Sequence, residues 1–202
     1  MSFATQEDVF RAGEEVLTAT FEKFAPEGSQ VTAAPYPVIS YKEAMLKYGT
    51  DKPDLRNPLE IVDVTDFFQR CTFEPFHGKT VRAVNVHQQM SKKFHKKFEE
   101  FAKKIGMGGL GYLQVQDDMT YKGPIDKFIP DDMNQEIADI AGLQAGDTIF
   151  FICDKEKQAA LFAGQIRTEL GNRLDLLEKN AYRFCFINDF PMYEYDEKEK
   201  KI

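Results

Sequence analysis

The segment YGTDKPDLRNP at residues 48–58, called the junction loop below, places alternating charges between one glycine and two prolines. Pro53 and Pro58 each fix their own backbone and push the preceding residue out of the helical region. We therefore expect an extended, rigid loop whose charged side chains point in set directions. A simpler alternative is that these side chains only pair with one another on a solvated surface. They are Asp51, Lys52, Asp54 and Arg56.

Patterning beyond the junction loop predicts helices that alternate with strands. Helices are expected at residues 5–24, 40–49, 66–71, 91–105, 125–129, 133–141 and from Asp154, as a cap, to about Leu170. Strands are expected at residues 59–64, 80–86, 110–116, 148–153 and 182–186, and residues 25–37 are expected to form a linker. The strand 80–86 alternates as a half-buried strand does. Gly164 lies inside a predicted helix, where glycine costs about 1 kcal/mol, so it needs a packing or ligand reason.

The helix from Ser91 to Lys104 is rich in lysine, although the whole chain has a formal charge of −7. Its phenylalanines repeat at helical spacing and are expected to face a core. An exposed basic face favours an anionic partner, since lysines bind phosphates without reading sequence. The alternative is an ordinary solvated face, tempered by Glu99 and Glu100. The lysines are Lys92, Lys93, Lys96, Lys97, Lys103 and Lys104.

The composition is that of a folded chain, with 202 residues, 43% hydrophobic and 29% charged. Such a chain can form one sizeable core or two small ones. It contains no apolar run near the roughly 20 residues of a membrane span and no signal-peptide pattern, so we expect a cytoplasmic protein without a membrane partner.

Few residues suggest metal or covalent chemistry. The three cysteines, Cys71, Cys153 and Cys185, are widely spaced among apolar neighbours, which predicts reduced core thiols. The three histidines are scattered. We therefore expect no catalytic residue and no metal site in this chain. Tyr112 and Tyr121 are the aromatic residues to examine for stacking on RNA bases.

The junction loop resembles the Tyr-Gly-Ser-Asp-Lys-Pro-Asp-Leu-Arg signature of bacterial-type aspartyl-tRNA synthetases, which are class II enzymes. Residues 109–115 (GLGYLQV) and 123–128 (GPIDKF) are similar to elements of a domain inserted in that family. This insertion is called the GAD domain because the B subunit of tRNA-dependent amidotransferases shares it. The likeness continues through residues 146–151 (GDTIFF), with Gly164 and Arg167, to residues 189–194 (DFPMYE).

The two ends resemble internal parts of the family's catalytic domain. Met1-Ser2-Phe3 resembles the residues that follow its Gln-x-Asp-x-Glu element, and the chain stops where a His-His-Pro-Phe-Thr segment is expected. The ATP-binding arginine motifs and the anticodon-reading barrel have no counterpart here. We therefore expect an internal segment of the enzyme, whose flanks either pack together or expose apolar surface.

The resemblance implies an α+β fold with a mixed or antiparallel sheet layered with helices, and flanking pieces that belong to another sheet. Residues 1–58 would be a flanking piece of the catalytic domain, with a helix, a linker and the junction loop. Residues 59–178 would form the GAD insertion domain, and residues 179–202 a return strand into the catalytic domain.

The resemblance also implies the chemistry of the parent enzyme. That enzyme activates L-aspartate with ATP and magnesium and transfers it to tRNA(Asp), and it is expected to be a homodimer. In this segment the partners would be the rest of the catalytic domain and, through the lysine helix, the tRNA acceptor arm. The charged residues of the junction loop would orient the junction and not catalyse. Two alternatives remain: a pure interaction module, and a domain of the amidotransferase B-subunit type.

Overall fold

The computed structural model describes residues 3–193 and 200–201. Met1, Ser2, residues 194–199 and Ile202, which include parts of the two end segments discussed above, lie outside the described residues. Within the described part, the helices are α1 (Gln6–Phe24), α2 (Tyr41–Lys47), α3 (Thr65–Arg70), α4 (Lys92–Lys104), α5 (Asn134–Ala141) and α6 (Glu156–Arg173). The strands are β1 (Gln30–Val31), β2 (Val38–Ser40), β3 (Ile61–Asp63), β4 (Thr80–Val86), β5 (Gly111–Val115), β6 (Tyr121–Lys122), β7 (Thr148–Asp154), β8 (Ala181–Tyr182) and β9 (Phe186–Asn188).

The main sheet has five strands in the order β3-β4-β7-β5-β6, and every neighbouring pair is antiparallel. One face packs on α3 and α5 through a core that includes Phe67, Phe68 and Ile137. The other face packs on α4 and α6 through Phe98 and Ile166. The expected α+β fold is therefore confirmed. The strand expected at 80–86 is confirmed as β4, but the expected half-burial is wrong, because β4 is the second strand of a sheet covered on both faces.

The flanking segments form two small parallel sheets of their own. β1 pairs with β8 and β2 pairs with β9. Helix α1 covers these strands, with the ring of Phe10 stacked on Phe186 at 4.2 Å. The described flanks thus pack together, as one of the two expected outcomes. The expected continuous strand at 182–186 is instead two short strands, and the expected linker contains β1, because strands of two or three residues carry no periodic pattern.

Local capping signals mostly act as expected. Thr5 and Asp8 form a capping box, and the hydroxyls of Ser40 and Ser91 each accept a hydrogen bond from the backbone N–H three residues on. The expected cap at Asp154 is wrong. Asp154 ends β7, so α6 begins after Lys155, whose side chain makes no capping bond.

The segment between the GP turn and α5 is less regular than expected. Short 3₁₀ turns at Asp126–Phe128 and Asp131–Met133 replace the expected helix at 125–129 and the start of the next one. None of the helices in the described part of the chain is long and apolar enough to cross a membrane.

Candidate functional site

Helix α4 is amphipathic, with its lysines on the outside. Phe98 and Ala102 are buried against the sheet, and Phe94 and Phe101 are half-buried beside them. His95 is also buried, with its ring stacked on Tyr112 at a centroid distance of 3.7 Å. All of the lysines predicted to bind an anion are exposed: Lys92, Lys93, Lys96, Lys97, Lys103 and Lys104.

The spacing of these lysines divides them into two rows along α4. Residues four and seven apart share a helix face, so Lys92, Lys96 and Lys103 form one row. Lys93, Lys97 and Lys104 form the second row. In the first row, Lys103 is paired with Glu99 at 2.6 Å, which offsets part of its charge.

The second row borders an open groove of about 800 Å³ between α4 and α6. Phe94 and Phe101 line the groove, together with Lys97 and Lys104. From α6, the guanidinium of Arg173 lies over the Phe101 ring at 5.6 Å. Glu100 and Glu169 also line it, so the groove is basic by only one charge. Lysine ammonium groups on this rim can bind phosphates, and the side of the helix offers no pattern for reading bases.

The charged side chains of the junction loop pair with one another. Lys52 Nζ donates to Asp51 Oδ2 at 2.6 Å. Arg56 donates two hydrogen bonds to the Asp54 carboxylate, at 2.9 and 2.7 Å. These bonds hold the pKa values of Asp51 and Asp54 below their ordinary value. The arrangement is the one expected of a solvated surface, where such pairs contribute little stability.

The side chain of Arg167 in α6 binds backbone carbonyls of the junction loop and of the residue that follows it. This side chain is only 1% exposed. Its Nε donates to the carbonyl of Leu59 at 2.5 Å, and its Nη2 donates to the carbonyls of Asn57 and Asp54 at 2.8 and 3.1 Å. The guanidinium also lies over the Tyr48 ring at 4.9 Å. Burial lowers the pKa of Arg167, but an arginine stays protonated.

Asn57 completes this contact from the loop side. Its Nδ2 donates to the Arg167 carbonyl at 3.0 Å, and its Oδ1 accepts from the Leu59 N–H at 3.1 Å. We call Arg167, Asn57 and the Tyr48 ring the backbone clamp. Sequence reasoning missed Asn57, and it found Arg167 only through the family resemblance.

Two glycines allow α6 and the junction loop to touch. A Cβ on Gly164 would lie 2.8 Å from the Gly49 carbonyl oxygen and 2.9 Å from that of Tyr48. Gly49 has a φ of +68°, and a Cβ there would overlap the Ala160 carbonyl oxygen. The predicted packing reason for a glycine inside α6 is therefore confirmed.

Known proteins resemble both the central part of the chain and its full length. The GAD domain model matches residues 74–162. The aspartate–tRNA(Asp/Asn) ligase of Ehrlichia canis (strain Jake) is 46% identical over 209 residues, which cover all of this chain and 35% of the relative. The ligase of the same description from Wolbachia pipientis wMel is 45% identical over 210 residues, covering 34% of its length. By sequence, the chain contains a segment that matches the GAD domain and is similar along its whole length to aspartate–tRNA ligases. It spans about a third of the length of the curated relatives it matches.

The two candidate sites lie differently relative to the matched GAD segment. Helix α4 lies inside the residues matched by the GAD domain, whereas the junction loop lies before them and Arg167 lies just after. The backbone clamp therefore joins the chain before the matched GAD segment to α6, a helix that begins inside that segment. The domain boundaries at 58 and 178 stay predictions.

Several side chains considered from the sequence are packed within the protein. Tyr112 stacks on His95, and Tyr121 packs against the core while its hydroxyl donates to the Asn134 carbonyl at 2.7 Å. The cysteines are free thiols, and burial raises the pKa of Cys71 to about 11. No group of three His, Cys, Asp or Glu side chains within the described residues is placed to hold a metal ion.

One buried carboxylate has a structural role that the sequence did not reveal. Asp147, just before β7, accepts hydrogen bonds from Asn85 Nδ2 at 2.8 Å and from the Gln144 N–H at 2.9 Å. Its carboxylate also lies 3.1 Å from His87 Nδ1. These contacts tie the turn before β7 to the end of β4.

Proposed function

We propose that the chain is the GAD-containing region of an aspartate–tRNA ligase and that its α4 lysines contact the acceptor arm of the tRNA. The observation that carries this proposal is an exposed face of six lysines on one helix of a chain whose formal charge is −7. Phosphates of an RNA backbone suit such a face, because each lysine that approaches one releases a counterion.

The chemistry that we propose for the whole protein is ATP-dependent attachment of L-aspartate to tRNA in cytoplasmic protein synthesis. Attack of the aspartate carboxylate on the α-phosphate of ATP spreads negative charge that arginines and magnesium must stabilise. The described residues do not assemble three ligands for a metal ion, and we assign no catalytic step to them. We propose that the chain alone is inactive and that it works against the remainder of the catalytic domain of a homodimeric enzyme.

In this proposal the junction loop orients the chain where it passes between the catalytic domain and the insertion. Two ion pairs would fix the conformation of the loop at its surface. They are formed by Asp51 with Lys52 and by Asp54 with Arg56. The likeness to ligases covers the flanks as well as the GAD segment, which supports a ligase over an isolated module of the amidotransferase type.

The test is a salt-dependent titration of the chain with an acceptor-stem hairpin of tRNA(Asp), and with one of tRNA(Asn) because the relatives are described as tRNA(Asp/Asn) ligases. A variant with Lys92, Lys93, Lys96 and Lys97 changed to Gln should bind more weakly. Its plot of log affinity against log salt should flatten by about one for each lost phosphate contact.

The matched control changes four exposed lysines elsewhere: Lys23, Lys79, Lys122 and Lys155 to Gln. It removes the same charge and should leave the slope unchanged. Equal weakening in both variants would show attraction to charge in general, and no binding at low salt would refute the acceptor-arm contact. Detectable ATP–pyrophosphate exchange by the pure chain would refute its inactivity.

A further inference from the structure

We propose that Arg167 is a positioning residue, which holds the lysine face of α4 at a fixed orientation to the flanking sheets. Its importance for tRNA rests on the function proposed above. The orientation itself is a property of the chain and can be measured without RNA.

The hydrogen bonds that Arg167 donates go to backbone carbonyls and not to the charged side chains of the junction loop. Its three donated hydrogen bonds all go to carbonyl oxygens, of Asp54, Asn57 and Leu59. Within residues 3–193, no carboxylate forms an ion pair with its guanidinium. A buried charge is costly unless hydrogen bonds replace the lost water. If the loop moves away from α6, the Arg167 cation and three carbonyls therefore lose their hydrogen bonds to one another.

Helix α6 carries this constraint to α4. In the middle of α6, Gly164 and Arg167 contact the junction loop. About 9 Å further along the axis, at the rise of an α-helix, Arg173 lies over the rings of Phe98 and Phe101 of α4. Phe98 also shares a buried cluster with Leu170 of α6. A single rigid helix thus contacts the junction loop and the lysine helix.

The second crossing between the main sheet and the flanks lies at the same place. The backbone N–H of Glu178 donates to the carbonyl of Arg56 at 2.9 Å, and the N–H of Leu176 donates to the Gly171 carbonyl at 2.9 Å. Both chain crossings are therefore fixed near Arg167. Breaking the clamp should free a hinge at this point, since hinges are a few loop residues that absorb backbone rotation.

The test measures distances between spin labels by pulsed electron paramagnetic resonance, in a background with the three cysteines replaced. One pair of labels joins Glu15 of α1 to Glu100 of α4, and a reference pair joins Asp66 of α3 to Glu100. All three positions are exposed. In the chain with Arg167, both pairs should give one narrow distance distribution.

In Arg167→Met, the Glu15–Glu100 distribution should lose its single narrow peak while the Asp66–Glu100 distribution stays narrow. An unchanged Glu15–Glu100 peak would overturn the proposal. If Arg167→Met also broadens the reference pair, Arg167→Lys decides. One ammonium group cannot span the carbonyls of Asp54 and Leu59, so the same selective broadening is expected, and its absence would overturn the proposal.

The matched control is Asp54→Asn with Arg56→Gln, which removes the exposed ion pair and leaves the carbonyls in place. Both distributions should stay narrow, and broadening here would show that the side chains set the orientation. Hairpin binding by the Arg167 variants separates the two proposals. If even the unsubstituted chain does not bind RNA, the acceptor-arm function fails, while the distances still decide the role of Arg167.

Discussion

The substitution Gly→Ala should have opposite effects on stability in two helices of this chain. Gly13 lies inside α1 and Gly164 lies inside α6. In an open helix, alanine is favoured over glycine by about 1 kcal/mol. A Cβ on Gly13 would meet only the Phe186 ring at 3.5 Å, which is an ordinary contact. Gly13→Ala should therefore raise the free energy of unfolding by up to about 1 kcal/mol.

At Gly164 the same methyl group meets backbone. Its Cβ would lie 2.8 and 2.9 Å from two carbonyl oxygens and 3.1 Å from a carbonyl carbon, so the loop and α6 must move apart. Forced overpacking costs about 1 to 3 kcal/mol. We expect the upper end, because carbonyls cannot rotate away as a side chain can and the clamp lies one turn further on. After the gain in helix propensity, Gly164→Ala should lower the free energy of unfolding by about 2 kcal/mol.

The assay is urea unfolding followed by far-UV circular dichroism, with thermal unfolding as a second measure. For a chain of this size, Gly164→Ala should lower Tm by about 4 to 8 °C and Gly13→Ala should raise it by about 2 to 4 °C. Stabilisation by Gly164→Ala would refute the reasoning, because it would mean that α6 and the junction loop do not touch as described.

Three further predictions follow from buried or exposed groups. Burial lowers the pKa of His95, so below about pH 6.5 the unfolded chain takes up a proton that the folded chain does not. The free energy of unfolding should then fall by up to about 1.4 kcal/mol per pH unit as the pH is lowered. Urea titrations between about pH 7 and pH 5 should show a smaller fall in His95→Phe, and equal falls in the two proteins would contradict this. Asp147→Ala leaves the Gln144 N–H and the Asn85 side-chain amide without their acceptor. It should lower the free energy of unfolding by about 2 to 3 kcal/mol in the same assay, whereas a loss below about 1 kcal/mol would argue against a structural role. Phe190 and Met192 are 52% and 86% exposed, so changing both to Ser should reduce self-association in sedimentation velocity. Unchanged self-association would show that this apolar surface makes no contact between copies.

Features that depend on neighbouring residues could be predicted from the sequence. The caps at Thr5, Ser40 and Ser91 are local hydrogen bonds, and the apolar run of β7 is long enough to predict a buried strand. In each case the physical cause lies within a few residues of the pattern. The extended segment predicted for the junction loop is wrong, because Gly49 has a φ of +68° and the Asn57 N–H donates to the Asp54 carbonyl at 3.3 Å in a turn.

Features that depend on distant residues could not be predicted. Strand β1 exists because Gln30 and Val31 pair with Ala181 and Tyr182, and two residues carry no periodicity. Arg167 looks like any surface arginine of an amphipathic helix until the junction loop covers it. The lysines were found because charge is visible in the sequence. The groove beside them was not, since it requires α6 to lie next to α4.

The hydrogen bond from Glu178 to Arg56 has a consequence for how the chain folds and for how it can be rearranged. It closes about 120 residues into a ring whose two ends are neighbours, and closing a flexible ring of that size costs about 4 kcal/mol of chain entropy. That cost disappears if the intervening residues have already folded, so the small parallel sheets should form last. The enclosed stretch is then a separable unit. If it is deleted, a linker of a few glycines should join Arg56 to Glu178 without straining β1, β2, β8 and β9.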